Sequence, residues 1–241
     1  MTAIRWVISL LFVINIYAMM LIMGIVFLPW AAASPNGARV ACGTYARYTL
    51  WCARWMVGIR SEVRGTIPQG EVLIAAKHQS FLDIIMIFNA LPAPKFIMKN
   101  ELLYTPVIGL YAYRLGCIPV KRGRRAEAIK KMVADVKAGD AIPGQLCIYP
   151  QGTRIVPGVK APYKIGTYAL YRELNQPCVP VATNAGVFWP RKGIMRKPGL
   201  AVVDFLDPIE TGIDQDAFMK DMEERIETRS EALLDEAGFQ R

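Results

Sequence analysis

Val72-Leu73-Ile74-Ala75-Ala76-Lys77-His78-Gln79-Ser80-Phe81-Leu82-Asp83 is the stretch on which the reading of the fold turns. Its first five residues are an unbroken apolar run of strand length, the pattern of a strand buried on both faces. The run is followed by Lys77 and then by the only histidine of the chain, and the residues from Ser80 to Leu91 have the length and apolar content of a helix. A strand feeding through a short polar loop into a helix is the repeating unit of an α/β sheet, whose functional side chains gather where the strands end. Asp83 follows His78 by five positions, so one helical turn returns the carboxylate toward the imidazole. A carboxylate that holds one ring N–H fixes the tautomer and leaves the other nitrogen free to take a proton from a hydroxyl. The same residues also read S-x-x-D, a capping-box variant in which Asp83 closes the first turn of the helix. Spacing alone does not separate the two roles.

Outward from this stretch, further strands are predicted at Lys95–Met98, Cys117–Val120, Gln145–Tyr149, Cys178–Thr183 and Leu200–Phe205. Helices are predicted at Ser80–Leu91, Val107–Leu115, Arg124–Lys137, Tyr163–Leu174 and Gln215–Glu236. The alternation predicts an α/β fold, a central mixed sheet flanked by helices, preceded by an N-terminal membrane-anchoring helical segment. With 241 residues the chain suffices for one globular domain, which divides as 1–60 for the anchor and interfacial helix and 61–241 for the catalytic domain.

The anchor is legible from charge. No charged residue occurs from Trp6 to Ala38, and up to Pro29 only Ser9 and Asn15 interrupt the apolar run. A helix of about 25 residues, roughly 38 Å, is long enough to span a bilayer. A cleaved signal peptide is the competing reading, with Ala31-Ala32-Ala33 as a mimic of a cleavage site, but the apolar core is about twice the usual length. Arg39, Arg47, Arg54, Arg60 and Arg64 follow the run and only Arg5 precedes it. The positive-inside rule then predicts that the rest of the chain lies on the cytoplasmic side of the membrane, and a cell inner membrane is the expected location. Taken as a helix, Ala38 to Gly58 sets Arg39, Arg47, Arg54 and Arg60 within an arc of roughly 140° and turns Tyr45, Tyr48, Trp51, Cys52, Trp55 and Met56 to the other side. This is the pattern of an interfacial helix; the plainer alternative buries the tryptophans in the domain core.

Composition agrees with a membrane surface. The chain is 53% hydrophobic and carries 29 Lys+Arg against 20 Asp+Glu, a formal charge of +9, which suits anionic lipid. Nucleic acid would suit the charge too, but not the apolar N-terminus, and no nucleic-acid motif is present. Five cysteines at wide spacing, with no C-x-x-C and one histidine, do not make a zinc site. Cys147 and Cys178 lie in apolar strand runs and read as buried thiols of a reduced, cytoplasm-facing domain.

Two more segments end predicted strands in polar groups. Gly116-Cys117-Ile118-Pro119-Val120-Lys121-Arg122 leads into Arg124 and Arg125, which is either an anion site or a solvated basic loop. Tyr149-Pro150-Gln151-Gly152-Thr153-Arg154 offers a glycine for a tight turn, a hydroxyl, and a guanidinium fork for a phosphate. Together these segments resemble the glycerolipid acyltransferase family, most closely its bacterial 1-acylglycerol-3-phosphate (lysophosphatidic acid) acyltransferases. The H-x-x-x-x-D box is His78 to Asp83, with Ser80 inside it. The G-x-I-x-I-x-R-like block is Gly116 to Arg122, the F-P-E-G-T-R block is Tyr149 to Arg154, and the V-P-V-A block is Val179 to Ala182. Four blocks stand in order over roughly residues 60 to 210.

The resemblance implies transfer of an acyl group from acyl-CoA or acyl carrier protein to the free sn-2 hydroxyl of lysophosphatidic acid, giving phosphatidic acid, with no metal and no cofactor. It implies that His78 is the general base, that Asp83 orients it, and that Arg122 and Arg154 with Lys99 hold the acceptor phosphate. Ser80, Gln151, Gly152 and Thr153 complete the implied substrate-contacting set; Ser80 as a nucleophile fits the box spacing less well. Three positions depart from the pattern: Tyr149 for phenylalanine, Gln151 for glutamate, and Lys77 for the frequent asparagine. The amide at Gln151 leaves open a lyso-aminolipid acceptor, and a non-catalytic protein that binds anionic membrane lipid is the more distant alternative.

Overall fold

A computed structural model of the chain describes residues 2–120 and 143–240, together with residues 127, 130 and 134. Arg122 and nearly all of the predicted helix Arg124–Lys137 lie outside the described residues. The chain begins with three helices: α1 (Thr2–Val26), α2 (Leu28–Ala33) and α3 (Pro35–Val57). Ser34 caps α3 by accepting from Asn36 N at 3.2 Å, with Pro35 in its first turn. Gly58, left-handed at φ 73°, ends it and turns the chain into the sheet. There follow β1 (Ile59–Gly65), β2 (Leu73–Ala76), α4 (Leu82–Ala90), β3 (Pro94–Lys99), a 3₁₀ turn (Asn100–Tyr104), α5 (Ile108–Arg114) and β4 (Ile118–Val120). After the undescribed stretch come β5 (Gln145–Ile148), α6 (Gly166–Leu174), β6 (Cys178–Thr183), α7 (Ala185–Phe188), β7 (Gly199–Phe205) and α8 (Gln215–Glu236).

The strands form one mixed sheet in the order β1-β7-β6-β2-β5-β3-β4. Among the described strands, only the β6–β7 pair is antiparallel. β2 lies at the centre between β5 and β6, in register through Leu73 with Leu146 and Cys178. Side chains alternate across the sheet. Ile74, Ala76, Cys147 and Val179 pack with α1, α3 and α4 on one face, while Leu73, Ala75, Leu146 and Cys178 pack with α6 and α8 on the other. Cys147 and Cys178 are buried free thiols, held protonated because burial raises both.

β1 is not anticipated by the hydrophobic pattern. It is an edge strand in which Ile59 alone is fully buried, and its Arg60, Glu62 and Arg64 are of the kind that protect a sheet edge. Arg60 therefore leaves the arginine face expected of the preceding helix, which ends at Val57. On α3, Cys52 and Ala53 are buried, and Tyr45 and Tyr48 donate to Ile16 O and Asn15 Oδ1 of α1. Trp51 and Trp55 stay 60% and 67% exposed, so the tryptophans are not core residues.

One stripe of α1 belongs to the hydrophobic core of the sheet. Phe12 and Ile16 are fully buried, with Phe12 edge-on to Trp189 at 5.2 Å. Ser9 Oγ accepts from Arg196 N at 3.0 Å, and Gly24 O accepts from the Tyr111 hydroxyl at 3.0 Å. The opposite stripe, with Trp6, Leu11, Ile14, Leu21 and Ile25, is exposed. Phe12→Ala should thus lower the stability of the whole domain by about 3–5 kcal/mol, while Trp51→Ala changes it little. Thermal denaturation of the detergent-solubilised chain measures both.

Candidate active site

β2 runs out at Ala76, and its last backbone bond to β6, Lys77 N to Val181 O at 2.9 Å, delivers His78 to the carboxyl end of the central strands. His78 Nδ1 lies 2.8 Å from Asp83 Oδ1. Facing a carboxylate, Nδ1 carries the proton, so Nε2 presents its lone pair. The second oxygen, Oδ2, accepts from Gln79 N at 2.8 Å and Ser80 N at 2.6 Å. Asp83 is fully buried in the first turn of α4, where the helix N-terminus also favours negative charge. The two readings of S-x-x-D are thereby reconciled, since one oxygen closes the turn and the other holds the imidazole. Ser80 is buried as well; its hydroxyl donates to Trp189 O at 2.6 Å and accepts from Leu82 N at 3.0 Å.

The turn after β5 lies against this loop. Tyr149 stacks on the imidazole with ring centroids 4.0 Å apart, and Ile155 N donates to His78 O at 2.8 Å. Gly152, at φ 69°, closes the turn by donating to Tyr149 O at 2.8 Å. Gln151 points inward: it is 4% exposed, and its Nε2 donates to Ala161 O at 3.1 Å. Gly152 and Thr153 are exposed and Arg154 half-buried. Arg154 O accepts from Arg191 Nη1 at 2.9 Å, which brings a second guanidinium to the turn. Lys99 is exposed at the end of β3, in register with Val120, the residue two positions before Arg122.

Sequence reasoning missed the residues that fasten this assembly from a distance. Gln79 Oε1 accepts from Gly186 N at 3.1 Å. Trp189 receives Ser80 through its carbonyl and the edges of Phe12 and Phe81 on its ring. Arg196 lies over the same indole at 4.7 Å, its guanidinium pushed down to about 10 by burial. Lys77 points to the opposite face from His78 and pairs with Glu227 of α8, whose Oε1 also accepts from the Tyr163 hydroxyl at 2.7 Å. No local signal marks these partners except Lys77 itself, a charge placed at the end of a buried strand.

Chemically, the arrangement can serve as an oriented base, since the His78 side chain is held by Asp83 and remains 12% exposed. Asp83→Ala would leave two amides and an imidazole N–H without their acceptor and should cost about 2–5 kcal/mol. Asp83→Asn keeps one oxygen for the amides and should cost less. Urea denaturation of the two variants in detergent checks that ranking.

A family model of acyltransferases matches residues 59–184, from β1 to the residue after β6. The chain is 32% identical over 166 residues to the 1-acyl-sn-glycerol-3-phosphate acyltransferase of Pseudomonas aeruginosa, covering 67% of this chain and 63% of that one. It is 29% identical over 173 residues to 1-acyl-sn-glycerol-3-phosphate acyltransferase alpha of Mus musculus, covering 68% and 60%. The alignments thus span somewhat less than two thirds of these relatives' own length. The crystal structure of the 1-acyl-sn-glycerophosphate (LPA) acyltransferase PlsC from Thermotoga maritima superposes with a TM-score of 0.79 at 20% identity, covering 97% of this chain and 98% of that one. Its likeness extends the shared fold to the N-terminal helices. With the matched region running through the His78–Asp83 loop and the Tyr149–Arg154 turn, the chain belongs to the acyltransferase family.

Proposed function

We propose that the protein transfers an acyl group from acyl-CoA or acyl carrier protein to the free sn-2 hydroxyl of lysophosphatidic acid. The observation that carries this reading is the buried Asp83 carboxylate, 2.8 Å from His78 Nδ1, which leaves Nε2 as a proton acceptor beside the cationic turn of Arg154. In the proposed reaction Nε2 takes the proton of the acceptor hydroxyl as its oxygen attacks the thioester carbonyl. The carbon–sulfur bond then breaks, and the departing thiolate recovers a proton from the imidazolium. A thioester is already activated, so positioning and base catalysis meet the demand. Arg154, with Lys99 and Arg122, would neutralise the acceptor phosphate.

The membrane would supply the acceptor. α1 is flanked by the catalytic domain from Ser9 to Gly24, about 22 Å of its length. A helix crossing the hydrocarbon core must be clear of charged protein surface over about 30 Å. On this reading α1 lies within one leaflet, its open stripe toward lipid.

The inward turn of Gln151 bears on the acceptor. Its amide hydrogen-bonds the Ala161 carbonyl behind the turn, so the change from the family's glutamate does not by itself redirect the site toward lyso-aminolipids. Gln151→Glu would set a carboxylate against that carbonyl and should lower the melting temperature while the ranking of acceptors stays that of the wild type. The deciding experiment is a labelled acyl-transfer assay in membranes with both donors and a panel of lysolipids. Lysophosphatidic acid should be consumed fastest, and His78→Ala should lose about 10²- to 10⁴-fold in rate while remaining folded. A preference for a zwitterionic lysolipid would overturn the acceptor, and near-wild-type activity of His78→Ala the mechanism.

A further inference from the structure

The His78 imidazole and the Tyr149 phenol lie face to face, with centroids 4.0 Å apart and planes 20° from parallel. Behind Tyr149 lies Phe96 at 6.3 Å and 20°, and behind Phe96 lies Phe88 at 6.4 Å and 12°. Four rings from the ends of β2 and β5, from β3 and from α4 thus form one near-parallel series that terminates on the imidazole. Within that series we infer that Tyr149 is a positioning residue, whose ring face sets the plane of the His78 imidazole and stabilises the imidazolium formed during proton transfer.

The inference rests on His78 being the base, and the argument is one of degrees of freedom. The bond to Asp83 Oδ1 fixes where Nδ1 lies but leaves the ring able to tilt about that contact. A broad aromatic face on one side removes the tilt, and the two constraints together fix the direction of Nε2. The electron-rich face also attracts a cation. The hydroxyl takes no part in this contact. It is buried and makes no hydrogen bond of ordinary length and angle, while burial first, and then the Asp83 carboxylate close to the hydroxyl, raises its ionisation well above the ordinary phenol range. An uncharged and unsatisfied hydroxyl is a burden on the fold, so phenylalanine should serve equally well.

Three variants of the full chain in detergent test this: Tyr149→Leu, which keeps apolar bulk without a ring, Tyr149→Phe, and His78→Ala. With lysophosphatidic acid and an acyl-CoA, Tyr149→Leu should lose about two- to thirtyfold in kcat, with both KM values little changed. Tyr149→Phe should keep the wild-type kcat and melt at a higher temperature. Because the chain has a single histidine, ring-labelled histidine gives one unambiguous set of NMR signals. Their ring-current displacement should persist in Tyr149→Phe and vanish in Tyr149→Leu. Tyr149→Met replaces the leucine variant, with the same expectations, if that one does not fold. Wild-type kcat in the ringless variant, an unmoved imidazole signal, or a phenylalanine variant as impaired as the leucine one would each overturn the inference. His78→Ala separates the two readings: if it remains active, the base assignment has failed, and if it is inactive while Tyr149→Leu is unimpaired, only the role of Tyr149 has failed.

Discussion

Asp83 is a carboxylate with no exposed surface, and its charge is tolerable only because every direction around it is answered. Two backbone amides and one imidazole N–H converge on its two oxygens, and the amino end of α4 adds its field. Since Oδ2 is committed to Gln79 and Ser80, the carboxylate cannot rotate without abandoning both amides. The imidazole therefore inherits its position from the backbone of its own loop. That loop is in turn fastened on its far side, where Gln79 reaches Gly186 and Ser80 reaches Trp189. Through the indole of Trp189 the chain of contacts continues to Phe12 of α1, so the apolar N-terminal helix and the His78–Asp83 loop share one packing unit. A helix that packs this way is part of what keeps the His78 imidazole in place.

The two consecutive residues Lys77 and His78 show what a strand end can do. With a period of two they face opposite sides of the sheet, His78 toward the Tyr149 turn and Lys77 toward α8. Lys77 is almost wholly buried and meets Glu227, which also holds the Tyr163 hydroxyl. The segment after Tyr163 binds back to the other loop, because Lys164 N donates to Pro150 O, and Ala161 just before it accepts from Gln151. The ion pair thus ties the His78 strand and the Tyr149 turn to the same helix. A buried pair of this kind is weak evidence for stability, since apolar residues could fill the space, but losing one partner alone leaves an uncompensated charge. Its effect is to hold the turn in register with the loop that faces it.

Much of this was legible in the sequence, and the limits follow the range of the forces. The central strands and the His78 box could be read because their signal is local: unbroken apolar runs, a loop of fixed length and a carboxylate one helical turn away. β6 and α8 were bounded correctly because apolar pattern and capping agree there; Asp214 caps α8 by accepting from Asp216 and Ala217 amides. β1 was illegible because an edge strand protected by charge imitates a loop, and Arg60 was drawn into a helical arc that ends before it. The dual role of Asp83 could not be assigned because the spacing fits both bonds at once. Trp189, Gly186 and Glu227 lie more than a hundred residues from the loop they fasten, and nothing in their own neighbourhoods announces the contact. Tyr149 is intermediate: its block pointed to the site, but the letter alone concealed that its face, not its hydroxyl, meets the histidine.

The exposed and buried stripes of α1 bear on how such a site could meet a lipid. A base that acts on a hydroxyl dissolved in water can occupy an open cleft, but the hydroxyl of a lysolipid lies at the depth of the headgroup. On the proposed reading the domain presents its base at that depth, and a flexible tether to a spanning helix would not fix the distance. α1 is held at Ser9, Phe12, Ile16 and Gly24, so its exposed apolar stripe keeps a set height relative to Trp189. Since Trp189 fixes Ser80, and Ser80 belongs to the loop that Asp83 organises, the depth of the open stripe and the position of Nε2 are set by one continuous series of contacts. On the proposed reading, the apolar helix sets the position of the base relative to the bilayer as well as attaching the protein to it.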